Sequence, residues 1–369
     1  MEELDRMKIR DIKSKVTAML EERQALESKD ESVVAPSTFW SSICSYFDYM
    51  LDLPEEYFAK LRLHTHHLTG DNYQFYFFGD PKRFLVVYNV DGLTKDIPPA
   101  LVINEPEGGI GFRYNDGRFL SRDIARYQKV ITSFYRSGIL SEQLNTSAQR
   151  RYVLEIGGGY GGLAHHVSNI CGNITYIIVD LPETLLFSAA YLSLLNPQKK
   201  IHIYEPGDFQ EASQFEAMGS CDFVLVPNYK LQALRRLRFD LAINMASFQE
   251  MRTSQVEEAL DFIRETCTGV FYSLNRDRSS RNSELTDLSD LLKQRFSLLE
   301  VGGVDPNKAK GKIGARKKWK LRLVEILKKM AILVGLLDRP AKKDPAPFEV
   351  PLPYREYICR PLPLRQDCE

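Results

Sequence analysis

The sequence predicts an α/β protein with a doubly wound, mostly parallel sheet. Three observations carry this. From residue 151 onward, short apolar runs alternate with helix-like segments, the pattern of parallel strands joined by crossover helices. The first run, RYVLEI (151–156), leads straight into a glycine-rich turn and then a helix-like segment. The second, ITYIIVD, ends on an acid, Asp180.

Residues 1–28 read as a charged helix whose Ile9, Ile12, Val16 and Met19 fall on one stripe. Such a stripe suits either packing on the helix's own domain or pairing with a second copy in a homodimer. From Pro36 to about Gly117 the chain is rich in aromatics (FWSSICSYFDYMLDL, NYQFYFF, RFLVVYNV) and reads as mixed short strands and loops. Residues 1–120 are therefore expected to form an N-terminal helical or mixed accessory and substrate region. Residues 121–369 are expected to form the α/β domain. That domain opens with a helix over 121–138, with Ser121 as N-cap and Gly138 at its end. After RYVLEI come helix LAHHVSNI, strand ITYIIVD, helix ETLLFSAAYLSLL and strand KIHIYE. Strands DFVLVPN, FDLAINM and GVFYSLN follow, with helix SQVEEALDFIRETC between the last two. LLEVGG and YREYICRP are the closing strands.

Between those two lies an irregular basic insertion at about 304–348, carrying Lys308, Lys310, Lys312, Arg316, Lys317, Lys318 and Lys320 among others. Within it, residues 316–337 read as a helix with Trp319, Leu323, Ile326, Leu327 and Met330 on one face. Peripheral contact of 308–337 with an anionic membrane surface is one expectation. Packing of that face on the fold is the other.

Composition sets limits. The chain has 49 basic and 49 acidic residues among 369, so it carries no global field that would gather nucleic acid. The six cysteines include no C-x-x-C pair and no zinc-ligand spacing. The charged start MEELDRMKIRDIKSK is not a secretory signal, and no apolar run is long enough to span a bilayer. A reducing cytoplasm is the expected compartment, at the inner face of the membrane if the basic segment binds there.

The central motif is Leu154-Glu155-Ile156-Gly157-Gly158-Gly159-Tyr160-Gly161-Gly162. Glycines let the backbone approach a ligand closely, and the following helix start adds unpaired N–H groups. Asp180 at the tip of the second strand suits a ribose diol. Two cofactors fit. Gly157, Gly159 and Gly162 satisfy G-x-G-x-x-G, so a dinucleotide such as NAD is a competitor. Glu155 favours S-adenosylmethionine, because an anion there repels a pyrophosphate and complements a cationic amino-acid end. On that reading the sheet is a Rossmann-like methyltransferase sheet. Its cofactor residues are Glu155, Gly157, Gly159, Tyr160, Gly161, Asp180, Leu181, Pro227, Asn228 and Asn244. For the adenine, Val226-Pro227-Asn228 competes with Asp208-Phe209 of IHIYEPGDF.

LEIGGGYGGLA, YIIVDLPETL, VLVPNYKL and FDLAINMASFQEM resemble the sugar O-methyltransferase family of bacteria. The resemblance covers about residues 120–275, weakens over 36–120 and is poor over 304–348. LEIGGGYGG by itself indicates only a class I methyltransferase, whereas VDLPETL together with NMASFQEM is more specific. The resemblance implies an acceptor hydroxyl on the sugar of a glycan or glycolipid precursor.

A sugar hydroxyl needs a base or a metal to become a nucleophile. The loop after FDLAIN, at the carboxyl end of its strand, offers Glu250 as base and Asn244, Ser247 and Gln249 to orient an acceptor. His166, on the helix after the glycines, is a second candidate. His64, His66 and His67 of LHTHH lack a nearby carboxylate and read as a surface or acceptor-side cluster, so no metal ligand set is indicated. Trp40, Tyr46, Phe47 and Tyr49 could stack on sugar rings or simply fill a core. Besides O-methyl transfer, two alternatives stay open: an NAD-dependent oxidoreductase and a non-catalytic S-adenosylmethionine-binding protein.

Overall fold

The computed structural model describes residues 2–28, 35–114, 116–145, 149–279, 281–301 and 354–363. The basic insertion and its 308–337 segment lie outside the described residues, as does Cys368.

The sheet strands are β1 (Arg151–Ile156), β2 (Ile174–Asp180), β3 (Ile201–Ile203), β4 (Phe223–Pro227), β5 (Phe239–Met245), β6 (Cys267–Asn275), β7 (Phe296–Glu300) and β8 (Arg355–Pro361). Their order is β3-β4-β2-β1-β5-β6-β8-β7. The first six strands are parallel to their neighbours, and β8 runs antiparallel between β6 and β7. β1, β2, β4 and β5 are almost continuously buried, as parallel strands covered on both faces must be. The chain reverses its direction of travel across the sheet at β1, which has β2 on one side and β5 on the other. In such a sheet, ligands bind beyond the carboxyl ends at this switch point.

The helices used below are α1 (Glu3–Glu27), α2 (Arg122–Arg136), α3 (Gly162–Ile170), α4 (Pro182–Leu195) and α5 (Thr253–Thr266). α4 is buried nearly all round; a helix with no polar face needs cover on both sides. The sheet covers one side and α1 the other. Ile9, Ile12, Val16 and Met19 of α1 are at most 1% exposed, so the stripe packs on its own domain and is not free to pair with a second copy. Arg23 fastens it to Glu183, at the start of α4, through bonds of 2.6 and 2.8 Å. Tyr229 Oη donates to the Met19 carbonyl at 2.9 Å.

The aromatic region departs from expectation. NYQFYFF and RFLVVYNV contain helices, Tyr73–Phe78 and Pro81–Tyr88, rather than strands. Local capping outweighs the β preference of their side chains: Asn72 and Asp80 cap the two N-termini, and Pro81 occupies a first-turn position. The described strands of this region form one short ribbon, Phe112–Arg113 against Phe119–Leu120. α2 begins as expected, with Ser121 Oγ accepting from the Ile124 N–H at 3.1 Å.

Candidate active site

The site assembles at the carboxyl ends of β1, β2, β4, β5 and β6. Gly157 leaves β1 with φ +79°, and a β-carbon there would collide with Ser247. The loop after β5 thus lies directly against the glycine turn. Gly159, at φ +57°, faces open space, the place where a ligand can reach the backbone. Gly161 caps α3.

Asp180, at the tip of β2, stands beside this opening. Its Oδ2 accepts from the Gly159 N–H and its Oδ1 from the Leu181 N–H, each at 2.8 Å. A carboxylate offers about four lone-pair sites, so both oxygens keep capacity for a diol. Burial raises its pKa to about 6. Leu181 itself is the N-cap residue of α4.

Glu155 is 1% exposed. Its Oε2 accepts from Tyr176 Oη at 2.9 Å, and burial pushes its pKa to about 8. Burial thus favours its protonated form. Tyr176, one strand over, is a supporting residue that the glycine motif did not reveal. It pairs in register with Val153, two residues before Glu155 and on the same face of the sheet, so its hydroxyl reaches Glu155 diagonally.

The two segments read as alternatives for the adenine differ in their surroundings. Pro227 pairs in register with Asp180, so Val226-Pro227-Asn228 ends beside the acid. Asn228 Oδ1 is buried without a hydrogen-bond partner, and an orphaned acceptor of this kind fits a donor on a bound base. Asp208 lies in the turn after the outer strand and is spent on His202 Nε2 and the Glu205 N–H, each at 2.9 Å.

Two of the expected ligand residues act as framework. Asn244 is fully buried. Its Nδ2 donates to the Ile156 carbonyl at 2.8 Å, and its Oδ1 accepts from the Phe248 N–H at 3.1 Å and Asn275 Nδ2 at 2.9 Å. It pins β1, β5 and β6 together at the site. The Tyr160 ring is 1% exposed; it lies under the Arg62 guanidinium at 4.2 Å and meets Tyr191 edge-on at 4.9 Å.

Glu250 lies in the loop after β5. Its carbonyl accepts from Ser37 Oγ at 2.7 Å. Desolvation raises its pKa to about 8, while Arg276 and Arg126 favour its ionised form and Asp180 opposes it. Glu250, Asp180 and the two arginines thus share one electrostatic neighbourhood. Gln249 accepts from the Arg276 N–H at 3.0 Å through Oε1, and its Nε2 lies 3.5 Å from Tyr354 Oη.

His166 lies on α3. Its ring is 7% exposed and lies between α3 and α2, against Tyr127 at 6.2 Å and His165 at 4.9 Å. Burial lowers its pKa to about 3, so it is a weak proton acceptor. In LHTHH, Tyr49 Oη bonds His64 Nδ1 at 2.7 Å and Tyr46 stacks on His67 at 4.6 Å. Phe47 is core, while Tyr46 and Tyr49 are 55% and 44% exposed. Among the described residues, no three His, Cys, Asp or Glu side chains converge as metal ligands would.

Sheet order and glycine turn define a Rossmann-like α/β domain with a ligand site at its switch point. No protein-family model and no curated protein matches the sequence. Similar solved structures include phosphoethanolamine N-methyltransferase 2 of Haemonchus contortus in complex with S-adenosyl-L-methionine, at 9% identity and TM-score 0.33 over 61% of this chain and 52% of that one. An O-methyltransferase family protein of Burkholderia thailandensis is 14% identical, with TM-score 0.29 over 48% and 55% of the two chains. Human N-acetylserotonin methyltransferase in complex with SAM is 14% identical, with TM-score 0.29 over 48% and 52%. The chain spans about half the length of each of these proteins. Among the described residues, no helix is long and apolar enough to cross a membrane.

Proposed function

We propose that this protein is an S-adenosylmethionine-dependent O-methyltransferase acting on a sugar hydroxyl of a glycan or glycolipid precursor. The observation that carries the reading is the gathering of Glu155, Asp180, the orphaned Asn228 Oδ1 and Glu250 around one glycine turn. Glu155 would take the cofactor's ammonium, Asp180 its ribose hydroxyls and Asn228 the amino group of its adenine. When bound, the cofactor supplies an electrophilic methyl group. The protein's part is to hold the acceptor oxygen in line and to take its proton. Glu250 suits the second task, because a base titrating near pH 8 is matched to neutral operation. The sugar acceptor rests on the motif resemblance of residues 120–275.

Two features weigh against an NAD-dependent oxidoreductase. Glu155 under the glycine turn can ionise to meet a cation but offers a pyrophosphate no counter-charge, and β8 interrupts the parallel strand order of a dinucleotide sheet. The test is calorimetric titration with S-adenosylhomocysteine and with NAD, followed by turnover on a sugar acceptor. S-adenosylhomocysteine should bind and NAD should not. Glu250→Gln should keep that affinity and lose turnover by ~10²–10⁴. Binding of NAD instead would reverse the assignment, and full activity of Glu250→Gln would displace the base.

A further inference from the structure

We propose that the acceptor carries an oxyanion, either a carboxylate or a phosphoryl group, and that Arg276 receives it. The inference rests on the methyltransferase reading, which places the acceptor over the strand tips beside Glu250.

Arg276 follows the last residue of β6, and Tyr354 precedes the first residue of β8. Arg355 pairs with Asn275 across the antiparallel ladder, so Arg276 and Tyr354 face each other just beyond it. The guanidinium lies 4.5 Å from the centre of the Tyr354 ring, and its main-chain N–H is held by Gln249. Stacking and anchoring fix the side chain at the mouth of the site.

Arg276 makes no salt bridge with the described residues. Nε is buried without a hydrogen-bond partner, and no carboxylate among the described residues lies within ion-pair distance of it. Its neighbours differ. Arg278 pairs with Asp287 at 3.5 Å, Arg355 with Asp277 at 2.8 Å and Arg252 with Glu284 at 3.1 Å. Arg126, the second cation near Glu250, shares Asp123 with Arg62. The acidic neighbour of Arg276, Glu250, is pushed toward the neutral form by burial, so an incoming oxyanion would supply the ion-pair partner that the guanidinium lacks. Guanidinium is the side chain best shaped for bidentate binding of carboxylate or phosphate.

The experiment uses the full-length protein saturated with S-adenosylhomocysteine. Glucose, galactose and mannose are titrated by calorimetry beside their 6-phosphates, their uronates and inorganic phosphate. At least one anionic sugar should bind about ten- to hundredfold tighter than its neutral parent, with an affinity that salt weakens. A preference for uronates names a carboxylate and one for 6-phosphates a phosphoryl group. Arg276→Gln should abolish the preference and Arg276→Lys should keep part of it. Both variants should keep a single cooperative thermal transition and the wild-type S-adenosylhomocysteine affinity. The proposal is overturned by equal binding of neutral and anionic sugars, by binding of inorganic phosphate alone, or by an unchanged preference in Arg276→Gln. Failure of S-adenosylhomocysteine to bind is a separate result, seen before any sugar is added, and it removes the underlying reading instead.

Discussion

Glu155 shows how one buried carboxyl can couple a binding site to protons. Folded, it keeps its proton to about pH 8; unfolded, an ordinary glutamate loses it near about 4.3. Its contribution to stability is therefore complete below about pH 4.3 and is lost as pH rises through 8. A cation placed beside it favours the ionised form, so cofactor binding should expel a proton. Titrations of S-adenosylhomocysteine from about pH 7 to 8.5, above the titration of Asp180, should show affinity rising with pH in the wild type and a much shallower rise in Glu155→Gln. A flat wild-type profile would take Glu155 out of the cofactor site. Glu155, Asp180 and Glu250 were all legible in the sequence, because each lies at or near the carboxyl end of a recognisable strand. Asn228 was legible only as one of two alternatives. Tyr176, Arg126 and Tyr354 were not, since each reaches the site from a different part of the chain. Arg276 directly follows GVFYSLN and could have been found by the same strand-end rule.

At the scale of elements, α1 and α4 explain each other. The apolar run ETLLFSAAYLSLL has no polar face, and the narrow stripe of α1 supplies the missing cover. The Arg23–Glu183 pair closes the contact; its side chains are 14% and 8% exposed. Arg23→Ala should lower stability by about 3 kcal/mol, since removing one member of a buried pair strands the other. The position of Glu183 in the first turn of α4 softens the loss through the helix dipole. Urea unfolding of Arg23→Ala and Glu183→Gln measures this, with the larger effect expected in Arg23→Ala. Equal midpoints for the wild type and Arg23→Ala would mean that α1 is held by its apolar stripe alone. Helix 121–138 and strands 151–275 were readable from periodicity and caps. The helices at 73–88 are not legible from composition, because runs of Phe, Tyr and Val favour strands until Asn72, Asp80 and Pro81 are weighed as caps.

Across the whole molecule, a buried ionic centre ties the N-terminal region to the glycine turn. Arg62 is 2% exposed and bonds Glu105 at 2.6 Å and Asp123, on α2, at 2.9 Å. Ser121 Oγ also donates to Glu105 at 2.6 Å. The same guanidinium covers the Tyr160 ring, next to Gly159. Glu105→Ala should therefore cost about 3–5 kcal/mol of stability. It should also weaken S-adenosylhomocysteine binding, although Glu105 belongs to the region before the sheet. Unfolding midpoints and calorimetry on the same variant test both parts. A loss of stability with unchanged affinity would show that the centre supports the fold without shaping the turn.

The sequence by itself determined the parallel sheet, the glycine turn and the acids at the strand tips. These follow from local pattern: apolar period, glycine placement and the fixed relation between a strand's end and the loop that follows it. Tertiary structure decided which candidates meet. It set Asn228 rather than Asp208 beside Asp180, because β4 and not β3 pairs with β2. It turned Asn244 into a brace and buried Tyr160 and His166 in packing layers. It also stacked Arg276 on a tyrosine 78 positions further along the chain. Strand order and side-chain convergence depend on contacts between distant segments, and no local pattern encodes them.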